Sequence, residues 1–285
     1  MNKYKFSGHE SFHCKPLWLK KGFDFKNKGG NFNDAHSVVK LGVGKNMVAS
    51  IRFWMNAFNA LNGQNGVTEI ATRLFADDGW DSYLEDEGTL WLLHYLLVST
   101  GYAATPNIIF NRLRKLYPEF SQTQFNKFAK QEFQQSSDNT INRDFQAFER
   151  TFLHKKSNEI EENTNSLLAD LKILERVPKR AADANQYFTI KLSERKNLPP
   201  AILLYCILDS NPGTQSINFE DMLMNENNVG NIFALSRDGL YKKLEEIVDA
   251  KIVKATFTVT AGIKIFQIKQ KNIKPFNILK KYYES

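Results

Sequence analysis

In the stretch NTINRDFQAFERTFL, Asn139, Arg143, Gln146 and Arg150 recur at +4, +3 and +4. On a helix that spacing stacks amide, guanidinium, amide and guanidinium along one ridge. Arginine pairs bidentately with guanine, and asparagine or glutamine with adenine, so the ridge has the chemistry of base-edge readout. A solvated polar face is the bland alternative. Against it, no carboxylate interrupts the ridge, and Asp144 and Glu149 are expected off to its sides.

Three other constellations invite enzymatic readings. His9-Glu10-Ser11-Phe12-His13 spells the five-residue zinc-protease pattern, which works only when both histidines share a helix face and a third ligand arrives from elsewhere. Gly8 and the aromatic neighbours Phe6, Phe12 and Trp18 favour an irregular, packed segment instead, and His36, His94 and His154 form no cluster to supply the third ligand. His9, Glu10 and His13 are therefore metal candidates only in a hydrolase or nuclease alternative. In LGVGKN, a phosphate loop ending at Lys45 would have Val39 in place of its first glycine and Asn46 in place of its hydroxyl, so the turn between two helices is the better reading. Asp77, Asp78, Asp81, Glu85, Asp86 and Glu87 crowd one loop. They lack the Asp and Glu-x-Lys arrangement of metal nucleases, and acids there complement the start of the apolar helix that follows. Nothing demands an enzyme or a cofactor.

The elements that would position the ridge form a pattern read three times: a short helix, a turn, a longer helix with an apolar stripe, and strand-like residues. In the first copy DAHSVVKL turns at GVG into KNMVASIRFWMNAFNAL. Val48, Ile51, Met55 and Phe58 share its inner face, leaving Asn46, Ala49, Ser50, Phe53 and Asn56 opposite, edged by Lys45 and Arg52. In the second, TQFNKFAKQEFQQ precedes the ridge helix, whose inner face is Ile141, Phe145, Phe148 and Phe152. EIEENTNS at 159–166 is a polar hinge, and LLADLKILERV and NQYFTIKL are wing strands joined by the basic loop PKRAADA. In the third, PPAILLYCILDSN, INFEDMLM and LSRDGLYKKLEEIVDAKIV are helices, and KIVKATFTV and IKIFQIKQK are strands. Its outward ridge, Asp238, Lys242, Glu245 and Asp249, is mixed in charge and suits packing or pairing rather than base reading.

Composition agrees with a folded, polyanion-binding chain. The 285 residues are 42% hydrophobic and 13% aromatic, with a net charge of +7. Residues 1–52 alone hold ten basic side chains against three acidic ones, which favours nucleic-acid partners. Two cysteines are too few for a disulfide framework, and MNKYKFSGHESF lacks the apolar core of a signal peptide. The longest apolar run, WLLHYLLV, is under half a membrane span. The cytoplasm is the expected compartment.

With FSGHESFHCKPLWLKKG, DAHSVVKLGVGKNMVASIRFW, WDSYLEDEGTLWLLHYLL and NTINRDFQAFERTF in this order, the chain resembles the prokaryotic family known as domain of unknown function 4007. The resemblance covers nearly the whole sequence. It implies genomic company with proteins similar to phosphoadenosine-phosphosulfate reductases and cysteine desulfurases, the sulfur-handling set of DNA phosphorothioation and related phage defence. It carries no catalytic residues over.

The expectation is an α+β, mainly helical chain of tandem winged helix-turn-helix units with short β-hairpin wings, divided as 1–105, 106–195 and 196–285. Its function would be that of a double-stranded DNA-binding accessory or regulator, with a homodimer as one expected state. The contact residues would be Lys40, Lys45, Asn46, Ser50, Arg52, Asn139, Arg143, Gln146, Arg150, Lys179 and Arg180. The rival reading is a scaffold that recruits the sulfur-transfer enzyme.

Overall fold

The computed structural model describes residues 4–133, 136–154, 166–179 and 183–285. Arg180, and the expected hinge at 159–166 except for Ser166, lie outside the described residues. The chain forms two compact units, Met1–Ile190 and Lys191–Ser285. It is α+β, about half helical, with two small antiparallel sheets.

The first unit is built around α5 (Glu87–Thr100), which follows α1 (Trp18–Asn27), α2 (Ser37–Leu41), α3 (Lys45–Ala57) and α4 (Glu69–Phe75). Every residue of α5 from Gly88 to Val98 is buried, as expected for a helix apolar on all sides. The acidic loop serves its start. Asp86 caps α5 by accepting from the Thr89 N–H at 3.1 Å, and Asp81 accepts from the Glu85 and Asp86 amides. No helix among the described residues is long and apolar enough to cross a membrane.

Gly42, in the left-handed region at φ 62°, ends α2 and turns the chain into α3, a conformation glycine adopts without a Cβ penalty. Gly22 of α1 meets a different demand: a Cβ there would stand 2.2 Å from Met55 Sδ on α3, so only glycine lets the two helices approach this closely. The two helices and the turn expected here form, but the strands do not. After α3 the chain makes one isolated bridge, Leu61 to Val67. The intervening Asn-Gly-rich residues close a tight loop in which Asn62 Oδ1 accepts from the Gln64 and Gly66 amides.

Helix α6 (Ala104–Ile108) continues through a π-turn at Ile109–Leu113 into α7 (Arg114–Leu116). All five α6 residues are buried, so the division expected at 105 falls inside a core helix and separates no compact unit. Then come β1 (Glu119–Ser121), α8 (Gln122–Glu132), α9 (Asp138–Phe152), β2 (Glu175–Arg176) and β3 (Tyr187–Thr189). Ser121 and Gln124 form a capping box at α8, and Ser137 caps α9. The inner face of α9, Ile141, Phe145, Phe148 and Phe152, is buried as expected, with Phe120, Phe125 and Phe188 ringing Phe145 at centroid distances of 5.3–6.4 Å. The sheet order is β1-β3-β2, and Phe120 pairs with Phe188 across it. The strand expected over LLADLKILERV shrinks to Glu175–Arg176, because Leu167, Leu168 and Leu171 bury themselves around a 3-10 turn at Ala169–Leu171.

The second unit runs α10 (Pro200–Ser210), β4 (Ser216–Asn218), α11 (Phe219–Met224), α12 (Val229–Ile232), α13 (Arg237–Asp249), β5 (Ala255–Thr260), β6 (Ile263–Ile268) and α14 (Pro275–Tyr283). Leu240, Leu244 and Ile247 of α13 are fully buried. Its sheet order is β4-β6-β5. Both sheets therefore place the strand that precedes the helices beside the strand that ends the hairpin.

Candidate nucleic-acid interface

The outer face of α9 lines an open groove of about 860 Å³, walled on one side by α8 and on the other by residues around β2 and β3. Asn139, Arg143, Gln146 and Arg150 are all exposed, and the first three line this groove together with Lys179 and Arg176. Gln122, Asn126, Asn142, Asn185 and Gln186 join them, so seven amide side chains face one space. Asn142 Oδ1 accepts from Gln122 Nε2 at 3.0 Å and from Asn126 Nδ2 at 2.5 Å, which fixes α8 against α9.

The ridge is not uniform. Asn139, Arg143, Gln146 and Lys179 make no side-chain hydrogen bond or ion pair among the described residues, so their donors face solvent. Arg150 is already engaged: Nη2 donates to the Ser11 carbonyl at 2.7 Å and Nε to the Gln146 carbonyl at 3.2 Å. Glu149 is the one carboxylate among the groove-lining residues. It accepts from Arg176 Nη2 at 2.8 Å and so masks a cation that sequence reading had not singled out.

Around α3 the outcome is mixed. Lys40, Lys45 and Asn46 are exposed and Arg52 half-buried, but Ser50 has no accessible surface and Phe53 is buried. The face opposite the apolar stripe is thus covered in part: Asn46 and Ala49 stay exposed, while Phe53 packs edge-on against His9 and beside Tyr102. Ser50 therefore cannot meet a ligand, which corrects its place among the expected contacts.

The His9-Glu10-Ser11-Phe12-His13 segment is a turn, not a helix, with Glu10 and Ser11 at φ 48° and 65°. The two histidines do not share a helix face. His9 is buried and both ring nitrogens are occupied: Nδ1 accepts from the Ser11 amide at 3.1 Å, and Nε2 lies 2.5 Å from Asp144 Oδ1. Because Nδ1 accepts, Nε2 carries the proton donated to the carboxylate. Asp144 also accepts from the Ser7 amide at 2.9 Å and from Thr105 Oγ1 at 3.2 Å. The zinc-protease spelling is thus a coincidence of letters, and its first histidine is part of a buried polar hub that ties the N-terminal segment to α6 and α9.

In the second unit the outward ridge Asp238, Lys242, Glu245 and Asp249 is exposed, and its neighbouring cations are matched to carboxylates. Lys242 Nζ stands 2.5 Å from Glu194, and Arg237 forms a two-point pair with Glu220. Those hydrogen bonds hold the Glu194 and Glu220 carboxyls below the usual glutamate range. Compensated cations leave little net field for phosphates, unlike Arg143 and Lys179.

Compared with known families, the chain belongs to the family described as Protein of unknown function (DUF4007), which matches residues 6–283. No curated protein matches it. Two solved structures share its fold. One, described as "SspB crystal structure", is 20% identical with a TM-score of 0.82. The other, described as "Magnesium ion-bound SspB crystal structure", is 21% identical with a TM-score of 0.83. Each alignment covers 97% of this chain and 87% of the other. At these identities the likeness speaks for the fold.

Proposed function

We propose that this DUF4007 protein binds double-stranded DNA through the α9 groove and serves, in the cytoplasm, as an accessory or regulator of a DNA modification or phage-defence system of the phosphorothioation type. The observation that carries the reading is the α9 face itself: an uncompensated arginine among seven amides, with one already-paired carboxylate. A helix of 15 residues is about 22 Å long, and such a helix fits the width of a major groove. In that pose Arg143, Asn139 and Gln146 address base edges, and Lys179 follows the phosphates.

In both units a strand precedes the helices and pairs with the second strand of the pair that follows them, with two helices between in the first unit and three in the second, which supports a winged helix-turn-helix reading of each. In that fold the second helix enters the groove. The sulfur-handling gene company implied by the family supports the choice of system.

The test is binding of a labelled duplex, unmodified and phosphorothioated, across a salt series, for the wild type and Arg143→Ala. Support would be a steep fall of affinity with salt, and a slope reduced by about one in the variant if Arg143 also neutralises a phosphate. No binding at low salt would replace this reading with the scaffold that recruits a sulfur-transfer enzyme. Because one fold neighbour is described as magnesium ion-bound, the series is run with and without magnesium. Magnesium-dependent strand scission would replace the accessory role with a nuclease.

A further inference from the structure

We propose that the cleft between α3 and the N-terminal segment, separate from the α9 groove, is a phosphate-binding site sized for a single nucleotide. The cleft holds about 1120 Å³ and is walled by Lys45, Ala49, Arg52 and Asn56 of α3, at +4, +3 and +4, with Lys5 and Tyr102 across from them. That volume is slightly above the usual range of small-molecule sites, which run to about 1,000 Å³, and leaves room for a nucleotide.

Its charge is arranged for an anion. Arg52 Nη1 donates to Asn33 Oδ1 at 2.6 Å and Nη2 to Asn65 Oδ1 at 3.4 Å. Lys5 Nζ donates to the Tyr102 hydroxyl at 3.2 Å and sits 4.6 Å over its ring. Lys45 has no side-chain partner among the described residues. Neutral oxygens thus orient two cations without neutralising them, and the third is free. The carboxylate that also lines the cleft, Asp34, is turned to its own loop, accepting from the His36 amide at 2.9 Å with Lys40 at 3.9 Å. Net positive charge from separate chain segments, pre-positioned in a recess, is the pattern that recognises phosphoryl oxygens.

Ser50 and Phe53 are buried, so α3 meets the cleft through Lys45, Ala49, Arg52 and Asn56 and forms one of its walls. The hollow has room for one nucleotide. Asn33, Asn56 and Asn65 line the same space and offer amide chemistry for a base, and the Tyr102 ring offers a face. The phosphoryl group could come from a free mononucleotide or from one unit of a strand, and the chemistry is shared.

The site stands whether or not the α9 groove binds duplex. Isothermal titration of the full chain with dAMP, inorganic phosphate, deoxyadenosine and a short single-stranded oligonucleotide tests it. We expect dAMP and phosphate to bind in the millimolar range or tighter and deoxyadenosine to bind at least about tenfold more weakly. Arg52→Gln and Lys45→Gln should each weaken dAMP about tenfold, while Arg143→Ala leaves it unchanged. Lys45 is exposed and unbonded, so its variant reads the site even if Arg52→Gln disturbs the fold. Competition between dAMP and the oligonucleotide assigns the phosphoryl source to a strand, and its absence assigns it to free nucleotide. No binding of dAMP at millimolar concentration, equal binding of deoxyadenosine, or dAMP binding unchanged in Lys45→Gln overturns the proposal.

Discussion

His9 Nε2 and Asp144 Oδ1 stand 2.5 Å apart, buried, although 135 residues separate them in sequence. With the Ser7 amide and the Thr105 hydroxyl they give the Asp144 carboxylate three donors, which is what a carboxylate needs to be tolerated away from water. Asp144→Ala strands all three donors and should lower unfolding free energy by about 3 kcal/mol. Asp144→Asn keeps the volume and an acceptor and should cost less. Urea unfolding of the full chain measures both, and a loss below about 0.5 kcal/mol for Asp144→Ala, the range of ordinary surface changes, would mean the hub is not what joins the N-terminal segment to α9.

Arg143 and Arg150 occupy the same ridge but should behave differently. Arg143 makes no side-chain hydrogen bond or ion pair among the described residues, so Arg143→Ala should leave stability within about 0.5 kcal/mol and appear only in DNA affinity. Arg150 holds the Ser11 carbonyl, so Arg150→Ala should cost about 1 kcal/mol of stability and less of the binding. Paired urea and duplex titrations separate the two. Equal stability losses would contradict the division of labour seen in their hydrogen bonds.

That division marks the limit of what the sequence makes legible. Helical period alone places Asn139, Arg143, Gln146 and Arg150 on one face and Ile141, Phe145, Phe148 and Phe152 on the other, because both sets depend only on local geometry. Asp144 falls between these faces, and its role depends on Ser7, His9 and Thr105, which only the tertiary fold brings near. The rest of the groove, Gln122, Asn126 and Gln186, comes from other elements for the same reason. On α3 a signal was present: Phe53, an aromatic on the nominally polar face, marks a stretch of that face that is covered, and Ser50 is buried there with it. In the first of the three supposed repeats the Asn-Gly-rich residues after α3 favour a tight loop, and the strands expected there do not form.

Acidification should act on the second unit through Glu220. The hydrogen bond from Arg237 lowers its carboxyl pKa against a smaller opposing effect of burial. Because the folded value is depressed, the pair's contribution is complete above the ordinary glutamate value and is lost as pH falls through the folded value. A carbon-13 NMR titration should find the Glu220 carboxyl midpoint below that of an exposed glutamate, and Arg237→Gln should return it upward. A midpoint unmoved by Arg237→Gln would show that the pair does not persist in solution.

Glu149 offers the sharpest test of the α9 groove, because it predicts a gain. It is the one carboxylate among the lining residues, and it holds Arg176 at 2.8 Å. Glu149→Gln removes a negative charge from the groove and releases a guanidinium toward it. Duplex affinity at low salt should rise several-fold, with the salt dependence steeper by about one released counterion. Adding Arg176→Gln should cancel most of that gain, since the freed cation is then absent. If Glu149→Gln instead weakens binding, the carboxylate is positioning Arg176 for the phosphate rather than masking it. If neither variant changes affinity, DNA does not lie along this face, whatever the rest of the protein binds.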